Sequence, residues 1–561
     1  MVSPSQQARV SKERLAASSA PALADGVGHP NRRPRETIGF SLLLVLHVLP
    51  IWCFSILATQ DGPAHIYNGF ALLHLSKAPF RLFYEVNQSF HSANWPAHLA
   101  LGVLTTIFSP GFAEKTLQTA YVVAFALGFR HALARIAPRA PRVISWAAFP
   151  FVYSYPFHMG FYSYCLGIAL FFIGLGSWAT FRARPGTASG ARWTVLLIVV
   201  FLFHPLPLVL LLVVPPVELG YRAALDLWRA RSRARRRGAV FRGVLARAVR
   251  FSLWSAPALA LHAVSAVGRG TRVEWQSPLR SAISLLMLSS LSSHDIRELF
   301  GSASIALLVW ATAAWLLVTR RPRRLRMSDS WLAVALALLL AALFVPDKVS
   351  GGSLIKLRVE VLPYLVTLLW VGCEAMRRRI GTWQPKALAI ASVFMIGLRL
   401  PVYARLSRDV AAHDAVLSSV LPQGSLVLPV RIGFPSDSLR IDVLLHALDR
   451  VSVERGIIDL GNYQAVQTYF PLRARPEIAS SARNASELTW ALCDHRAWEQ
   501  LSPPPDYVVV TATKAMRRPL AGLISGPARP RGDCDRLAEL GFPYPEVART
   551  LDGAVRVYRL R

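Results

Sequence analysis

The residues best suited to chemistry lie just after the first long apolar segment of the chain. Residues 38–58 are uncharged, and residues 60–65 then read QDGPAH. An ionised carboxylate at a membrane interface is costly unless it is solvated, paired or bound to a metal. Asp61 is therefore our first candidate for a general base, and His65 is a second catalytic candidate.

The same loop also offers ligands for a divalent cation. Glu85 and several Asn and His residues follow Asp61 within residues 59–96. Carboxylates and other oxygen ligands suit Mg²⁺ or Mn²⁺, so Asp61 and Glu85 are candidate metal ligands. A structural alternative stays open, in which Asp61 is the N-cap of a short helix that begins with Gly62 and Pro63.

A second polar loop, residues 346–357, reads PDKVSGGSLIKL and is followed by Arg358. Lys348, Lys356 and Arg358 are cations just before an apolar segment. Backbone N–H groups at a helix start, together with an arginine, suit an anionic phosphate. We therefore assign these three residues to phosphate binding. The alternative is that their side chains extend to lipid headgroups.

The composition indicates what kind of scaffold must position these loops. Of the 561 residues, 53% are hydrophobic and 17% are charged, the mean hydropathy is +0.37, and the net charge is +31. A nucleic-acid-binding protein carries its basic residues on a soluble surface, so this apolar chain does not fit that class. It is typical of a multi-pass protein of the lipid bilayer whose cations lie in cytoplasmic loops.

Apolar segments alternate with arginine clusters through residues 38–403, which we predict to be the transmembrane domain. The apolar segments are 38–58, 97–109, 115–134, 143–157, 160–181, 193–204, 206–220, 251–267, 300–319, 329–345, 358–376 and 386–403. We expect about 11–13 membrane helices from these lengths. The spans do not alternate consistently between the two sides of the membrane if 97–109 crosses it fully and 193–220 forms two spans. Therefore either 97–109 is a half-span or 193–220 is a single long span.

The positive-inside rule places the arginine clusters in the cytoplasm and leaves residues 59–96, 268–298 and 346–357 on the outer side. Residues 1–37 are rich in Ala, Ser, Pro and Arg, and we predict that they form a disordered cytoplasmic tail. This topology predicts an inner-membrane protein with a cytoplasmic N-terminus.

The character of the chain changes after residue 403. Residues 404–561 are polar and contain alternating runs such as Ser425–Val430 and Tyr507–Thr511, which predict strands, between helical stretches. We predict a soluble α/β domain on the outer, periplasmic or extracellular side. Within it, residues 459–463 and 469–471 are interpreted as turns and His446 as part of a solvated helix face. Cys493 and Cys534 would be able to pair there if their geometry allows it.

The acidic residue after the first membrane helix, with an outer loop that ends in Asn94-Trp95-Pro96, resembles the GT-C superfamily. These are integral-membrane glycosyltransferases that use polyprenyl-phosphate sugars. The resemblance implies a bundle of about a dozen helices followed by an exported domain, with Asp61 as the catalytic base. Many members carry an Asp-Glu pair where this chain has Asp61-Gly62, which leaves the use of a metal open.

The resemblance implies a role for two further features of the sequence. Residues 157–164 read FHMGFYSY, where aromatic rings could stack on a sugar while His158 and Tyr162 donate hydrogen bonds. An interfacial aromatic belt is the alternative. His204 precedes Pro205 at a helix break, where it contacts either phosphate or sugar, or serves only the local structure.

The expected function is therefore transfer of a sugar from a polyprenyl-phosphate donor to an acceptor on the outer face. A transporter or flippase of lipid-linked saccharides would need a similar cavity, although the chain lacks the internal repeat of many transporters. A membrane anchor for an exported binding domain is the third alternative. About a dozen helices are more than such an anchor requires.

Overall fold

The computed structural model describes residues 32–87, 93–231, 234–266, 273–320, 324–349, 352–377, 383–432, 440–484, 498–512 and 543–561. The chain divides into two compact units, residues 1–42 and 43–561. The described residues of the first unit are helical. The second unit contains the site. Cys493 and Cys534 lie outside the described residues.

Helices dominate the described residues, and we number them in chain order. They are α1 (Arg32–Cys53), α2 (Gly62–Leu73), α3 (Phe80–Phe83), α4 (Trp95–Thr105), α5 (Pro110–Ile136), α6 (Tyr155–His158), α7 (Tyr162–Ala183), α8 (Thr187–Phe203), α9 (Pro205–Arg229), α10 (Ala234–Ala266), α11 (Pro278–Met287), α12 (Arg297–Val318), α13 (Ser330–Phe344), α14 (Ile355–Val359), α15 (Val361–Ala375), α16 (Trp383–Val420) and α17 (Leu448–Arg455).

Seven helical stretches in the described part of the chain are long and apolar enough to cross a membrane. They lie in α1, α7, α9, α10, α12, α13 with the short 3₁₀ turn before it, and α16. Their exposed side chains include many large apolar residues, as expected for surfaces that face lipid. The predicted class, a helical multi-pass membrane protein, is confirmed.

The helix lengths bear on the two segments, 97–109 and 193–220, for which the predicted spans did not alternate consistently across the membrane. Helix α4 has 11 residues and is therefore roughly 16 Å long, about half of the hydrocarbon thickness of a bilayer. The apolar stretch 193–220 is broken at His204 between α8 and α9. The structure thus contains a short helix at 95–105 and two helices, rather than one, across 193–220.

The apolar segment 143–157 forms no long helix. It contains a 3₁₀ helix, Arg142–Phe151, followed by α6, and nearly all of its side chains are buried. Pro141, Pro150 and Pro156 lie in or beside this segment, and each removes a backbone donor that a continuous α-helix would use. The segment packs against α5 and α16 and leads directly into the site.

The C-terminal part contains a five-stranded mixed sheet, as the predicted α/β class requires. Its strands are β4 (Leu426–Ile432), β5 (Ile458–Asp459), β7 (Tyr507–Ala512), β8 (Glu546–Arg549) and β9 (Val555–Arg559), in the order β5-β4-β7-β9-β8. Strand β4 is parallel to β5 and β7, and β9 is antiparallel to β7 and β8.

Alternation along the strands explains how the sheet is buried. Leu428 and Val508 pack in a cluster on one face, whereas Val427 and Val509 pack with the end of α16 and with α17 on the other. Successive side chains of a strand point to opposite faces, so β4 and β7 each contribute to both clusters. Helix α16 runs without interruption through residue 403, and it therefore belongs to both the predicted transmembrane and C-terminal regions.

Two small sheets lie outside this domain. Strand β1 (Tyr84–Val86) pairs with β6 (Leu472–Ala474), and β2 (Val273–Glu274) pairs with β3 (Lys348–Val349). The first pair joins the predicted outer loop 59–96 to the C-terminal region. The second joins the other two predicted outer loops, 268–298 and 346–357, to each other.

Candidate active site

Asp61 occupies the N-cap position of α2, but its carboxylate makes no capping hydrogen bond. The backbone N–H groups of Gln60 and Asp61 donate to the carbonyls of His158 and Met159 over 3.1 and 3.0 Å. These two bonds hold the Asp61 backbone against residues 158–160. The Asp61 side chain takes no part in these two bonds.

The carboxylate of Asp61 faces residues from the C-terminal region. The Tyr463 hydroxyl donates to Oδ2 over 3.1 Å, and the Gln60 amide donates to Oδ1 over 3.2 Å. His446 Nε2 lies 3.8 Å from Oδ1. Asp61 is only 7% exposed, so its environment is set by these protein groups more than by bulk water.

Burial raises the pKa of Asp61 to about 6, although the hydrogen bonds from Gln60 and Tyr463 and the charge of Arg358 act in the opposite direction. Burial lowers the pKa of His446 to about 3, so this imidazole is neutral at physiological pH. The contact between His446 and Asp61 is therefore no ion pair. A carboxylate with a pKa near 6 is suited to accept a proton at neutral pH.

Arg358 is positioned by aromatic side chains and a histidine. Its guanidinium lies over the ring of Phe161, 4.1 Å from the centroid, and 5.6 Å from that of Tyr164. Nη1 is 3.1 Å from His204 Nε2. The other ring nitrogen of His204 accepts from the N–H of Leu206 and so caps α9.

A second arginine, Arg440, reaches the same region from the C-terminal part of the chain. Its Nη1 donates to the carbonyls of Ser289 and Ser292 over 2.6 and 3.0 Å, and its guanidinium lies 4.5 Å from the ring centroid of Tyr155. Residues 155–161 thus contact all three groups, because Tyr155 contacts Arg440, Phe161 contacts Arg358 and the backbone at 158 and 159 holds Asp61.

Neither Arg358 nor Arg440 forms an ion pair with a carboxylate of the described residues, and Arg358 Nε is buried without a hydrogen-bond partner. Other buried arginines are paired, as in Arg399 with Glu298 and Arg431 with Asp442. A buried cation is costly unless an anion compensates it. The surroundings of Arg358 thus suit an anionic ligand.

His65 lies one helical turn beyond Asp61 and belongs to a buried network. Its Nδ1 is 3.1 Å from His98 Nε2 and 3.2 Å from the amide of Gln464. That amide also donates to the Tyr463 hydroxyl over 3.2 Å. Burial lowers the pKa of His65 well below its usual value. His65 therefore connects to Asp61 through Gln464 and Tyr463, as a neutral group.

The aromatic segment 157–164 is buried rather than arranged as an interfacial belt. Both ring nitrogens of His158 are engaged, with Ser293 at 2.9 Å and Tyr403 at 2.7 Å. The Tyr162 hydroxyl donates to Glu114 over 2.6 Å. Their side chains are thus occupied by protein partners, while the backbone of the segment supports Asp61.

The ammonium groups of the two lysines in the second polar loop also bind protein partners. Lys348 Nζ pairs with exposed Glu274 at 2.8 Å. Lys356 Nζ donates to the Ser281 hydroxyl at 2.6 Å and to the carbonyls of Gln276 and Leu343. An ammonium has three donors, so Lys356 has none left for a phosphate. Arg358 instead lies over Phe161, next to the backbone segment that holds Asp61.

Glu85 and Asp61 have different neighbours in the structure. It lies on β1, opposite Arg473 of β6. Across the described ranges, no group of three His, Cys, Asp or Glu side chains is arranged to hold a metal ion. These donors do not fit a divalent cation at Asp61.

Sequence reasoning did not find the contribution of the C-terminal region. Arg440, His446 and Tyr463 all border the Asp61 site, and Tyr469 interacts with Arg358. Residues 459–463, interpreted as a turn, contain the tyrosine that binds Asp61. The only signal in the sequence was the predicted topology, which places the polar and aromatic C-terminal region on the same side of the membrane as residues 59–96.

No protein-family profile and no curated protein sequence matches the chain. Its fold is similar to that of ArnT from Cupriavidus metallidurans. The structure of ArnT bound to undecaprenyl phosphate is 12% identical, with a TM-score of 0.53, over 93% of this chain and 97% of that one. The apo structure is 11% identical, with a TM-score of 0.52 over the same shares. The comparison shows that this chain and ArnT share a fold over nearly their whole lengths.

Proposed function

We propose that the protein is a membrane glycosyltransferase that moves a sugar from a polyprenyl-phosphate donor to an acceptor hydroxyl. The observation that carries this proposal is that buried Arg358 and partly exposed Arg440 have no carboxylate ion-pair partner among the described residues. They accompany Asp61, whose carboxyl has a raised pKa. Support also comes from the fold, which is shared with a protein crystallised with undecaprenyl phosphate.

We infer a role for each of these groups. Arg358 and Arg440 bind the phosphate of the donor, and two guanidinium groups provide parallel donors to its oxygens. His204 helps to hold Arg358 in place. Asp61 accepts the proton of the acceptor hydroxyl, and Tyr463 orients its carboxylate.

The reaction forms the bond between the acceptor oxygen and the anomeric carbon and breaks the bond between that carbon and the phosphate oxygen. The hydroxyl proton passes to Asp61, and the bonding electrons leave with polyprenyl phosphate. Negative charge grows on the leaving phosphate, where the two arginines stabilise it. Attack opposite the leaving group inverts the anomeric configuration.

We further propose the orientation of the protein in the inner membrane. The arginine-rich loops are cytoplasmic, as is the N-terminus, and the site with the C-terminal region is on the outer side. Antiparallel pairing of β1 with β6 supports this arrangement, because it requires the loop after α1 and the C-terminal region to share one side.

Asp61→Asn tests the proposal in proteoliposomes that contain a polyprenyl-phosphate-linked sugar. The wild type should release polyprenyl phosphate and form product, and Asp61→Asn should lose transfer by a factor of at least about 10² while it retains its fold. Asp295→Asn, which breaks a local pair with Arg297, is the control and should stay active. Full activity of Asp61→Asn would refute the role of Asp61, and passage of unmodified donor across the bilayer without transfer would favour a flippase.

A further inference from the structure

The carbonyls that hold Arg440 belong to a short, strained loop, residues 288–292. Leu288 has φ 47° and ψ 50°, a left-handed conformation, and it is completely buried. A branched side chain rarely adopts this conformation and persists there only where surrounding contacts compensate its cost. The loop therefore depends on partners outside itself for its geometry.

Glu360 is the principal partner of this loop. Its Oε1 accepts from the N–H of Ser290 over 3.1 Å, and its Oε2 accepts from the Ser284 hydroxyl over 2.8 Å. Glu360 is 3% exposed, so these hydrogen bonds replace water almost entirely.

The position of Glu360 connects the loop to both arginines. Arg358 lies two residues earlier, on α14, which leads without a break into Glu360 and α15. Arg440 is bound by the carbonyls of Ser289 and Ser292 from the loop that Glu360 holds. One carboxylate thus determines where the C-terminal arginine lies relative to the one on α14.

We propose that Glu360 is a positioning residue that sets the spacing of Arg358 and Arg440 for one phosphate group. The inference rests on the proposed function, since it assumes that both arginines bind the donor. Glu360 itself does not contact the substrate. It acts through the N–H group of Ser290, which belongs to the loop whose carbonyls at Ser289 and Ser292 bind Arg440.

Three variants separate this role from a general contribution to folding. Glu360→Ala removes the acceptor, Glu360→Asp keeps the charge but shortens the reach to Ser290, and Glu360→Gln keeps one oxygen acceptor. We expect kcat/KM for the polyprenyl-phosphate donor to fall roughly tenfold or more in the Ala and Asp variants, because a displaced binding group is costly. The Gln variant should recover most of this loss.

Glu374→Gln is the matched control. Glu374 lies near the other end of α15, is equally buried and pairs with Arg320 and Arg326. Its substitution removes a buried charge of the same helix without contact to residues 288–292, and kcat/KM should change less than threefold. If Glu360→Ala does not fold, Glu360→Asp and Glu360→Gln carry the test.

The double variant Glu360→Ala/Arg440→Ala gives the decisive result. We expect it to be no worse than Arg440→Ala alone, because Glu360 acts through Arg440. Additive losses, or wild-type kcat/KM in Glu360→Asp, would overturn the inference while the proposed function stands. Wild-type binding of undecaprenyl phosphate by Arg440→Ala would instead contradict the phosphate site, and with it both proposals.

Discussion

The hydroxyl of Tyr463 donates to the carboxylate of Asp61 over 3.1 Å, and the two residues are 402 positions apart in the chain. Tyr463 begins a 3₁₀ turn in the C-terminal region, and Asp61 begins α2 next to the first membrane helix. The candidate base is therefore shared between the two ends of the protein. Its acidity depends on a residue that the membrane bundle does not supply.

Tyr463→Phe should change the pH dependence of transfer. The hydroxyl stabilises the ionised form of Asp61, so its loss should raise the pKa of Asp61 from about 6 by roughly one further unit. The base is active when ionised. Transfer at pH 6 should therefore fall by about fivefold, whereas at pH 8 it should stay close to that of wild type. The measurement is a pH profile of kcat/KM.

Tyr544→Phe is the control for this profile. Its hydroxyl donates to Glu499 over 2.7 Å at an exposed position, and its loss should leave the profile unchanged. An acidic limb in Tyr463→Phe that coincides with that of the wild type would contradict the role of Tyr463.

Arg358→Gln and Arg440→Gln should weaken donor binding. Each removes a charge-assisted set of hydrogen bonds to phosphate, so the affinity for undecaprenyl phosphate should fall by about tenfold or more in each variant. Arg377→Gln, at an exposed position after α15, should bind as the wild type does. Binding can be measured by titration of the protein in detergent, and unchanged affinity in both site variants would refute the phosphate site.

Gly160→Ala should displace Asp61. Gly160 has φ +78°, and an added Cβ would lie 2.5 Å from the backbone nitrogen of Gly62 and 3.0 Å from the carbonyl carbon of Asp61. The backbone that carries the base must then move, and we expect transfer to fall by about 10². Donor binding should be affected much less.

Gly456→Ala separates this displacement from the conformational cost. Gly456 has φ +61°, and an added Cβ would meet nothing within 4 Å. It should lose about 1 kcal/mol of stability through the left-handed conformation but keep its activity. Equal losses of activity in the two variants would show that the contact of residue 160 with Asp61 is unimportant.

Arg450→Met should destabilise the junction of the two regions. Arg450, on α17, donates to Glu114 of α5 over 3.1 Å and lies 3.5 Å from Asp414 of α16, with only 5% of its side chain exposed. Loss of one member of a buried ion pair costs about 3–5 kcal/mol. The melting temperature in detergent should therefore drop clearly.

Two further variants define this effect. Arg475→Met breaks an exposed pair with Glu477 and should change stability by less than about 1 kcal/mol. Glu114→Gln added to Arg450→Met should restore part of the stability, because it removes the unpaired buried charge. A melting temperature for Arg450→Met equal to that of Arg475→Met would contradict the structural role of the pair.

Much of the architecture could be predicted from local patterns. Apolar runs between arginine clusters predicted the helical membrane class, and the alternation in Ser425–Val430 and Tyr507–Thr511 predicted β4 and β7. Such patterns are informative because burial in lipid or on a face of a sheet imposes a hydrophobic periodicity on each segment, independently of the others. The sequence also indicated a helix break at His204, since Pro205 lacks a backbone N–H and suits the first position of a new helix.

The assembly of the site could not be predicted in this way. The types of Asp61, Arg358 and His204 marked them as candidates, but the same reasoning selected His158 and Lys356, whose donors and acceptors are used by protein partners. Whether a polar side chain is available to a ligand depends on which neighbours saturate it. Those neighbours come from distant parts of the chain.

The sequence by itself determined that the protein is a helical membrane protein with an acidic residue after its first span and a mixed α/β region at its C-terminus. Only the tertiary structure decided that Tyr463 binds Asp61 and that Arg440 packs on residues 155–161, the segment that also contacts Arg358 and Asp61. The physical reason is that hydrophobic periodicity reports the environment of each segment. Hydrogen bonds and ion pairs instead depend on which segments meet, and in this protein they join residues about 400 positions apart.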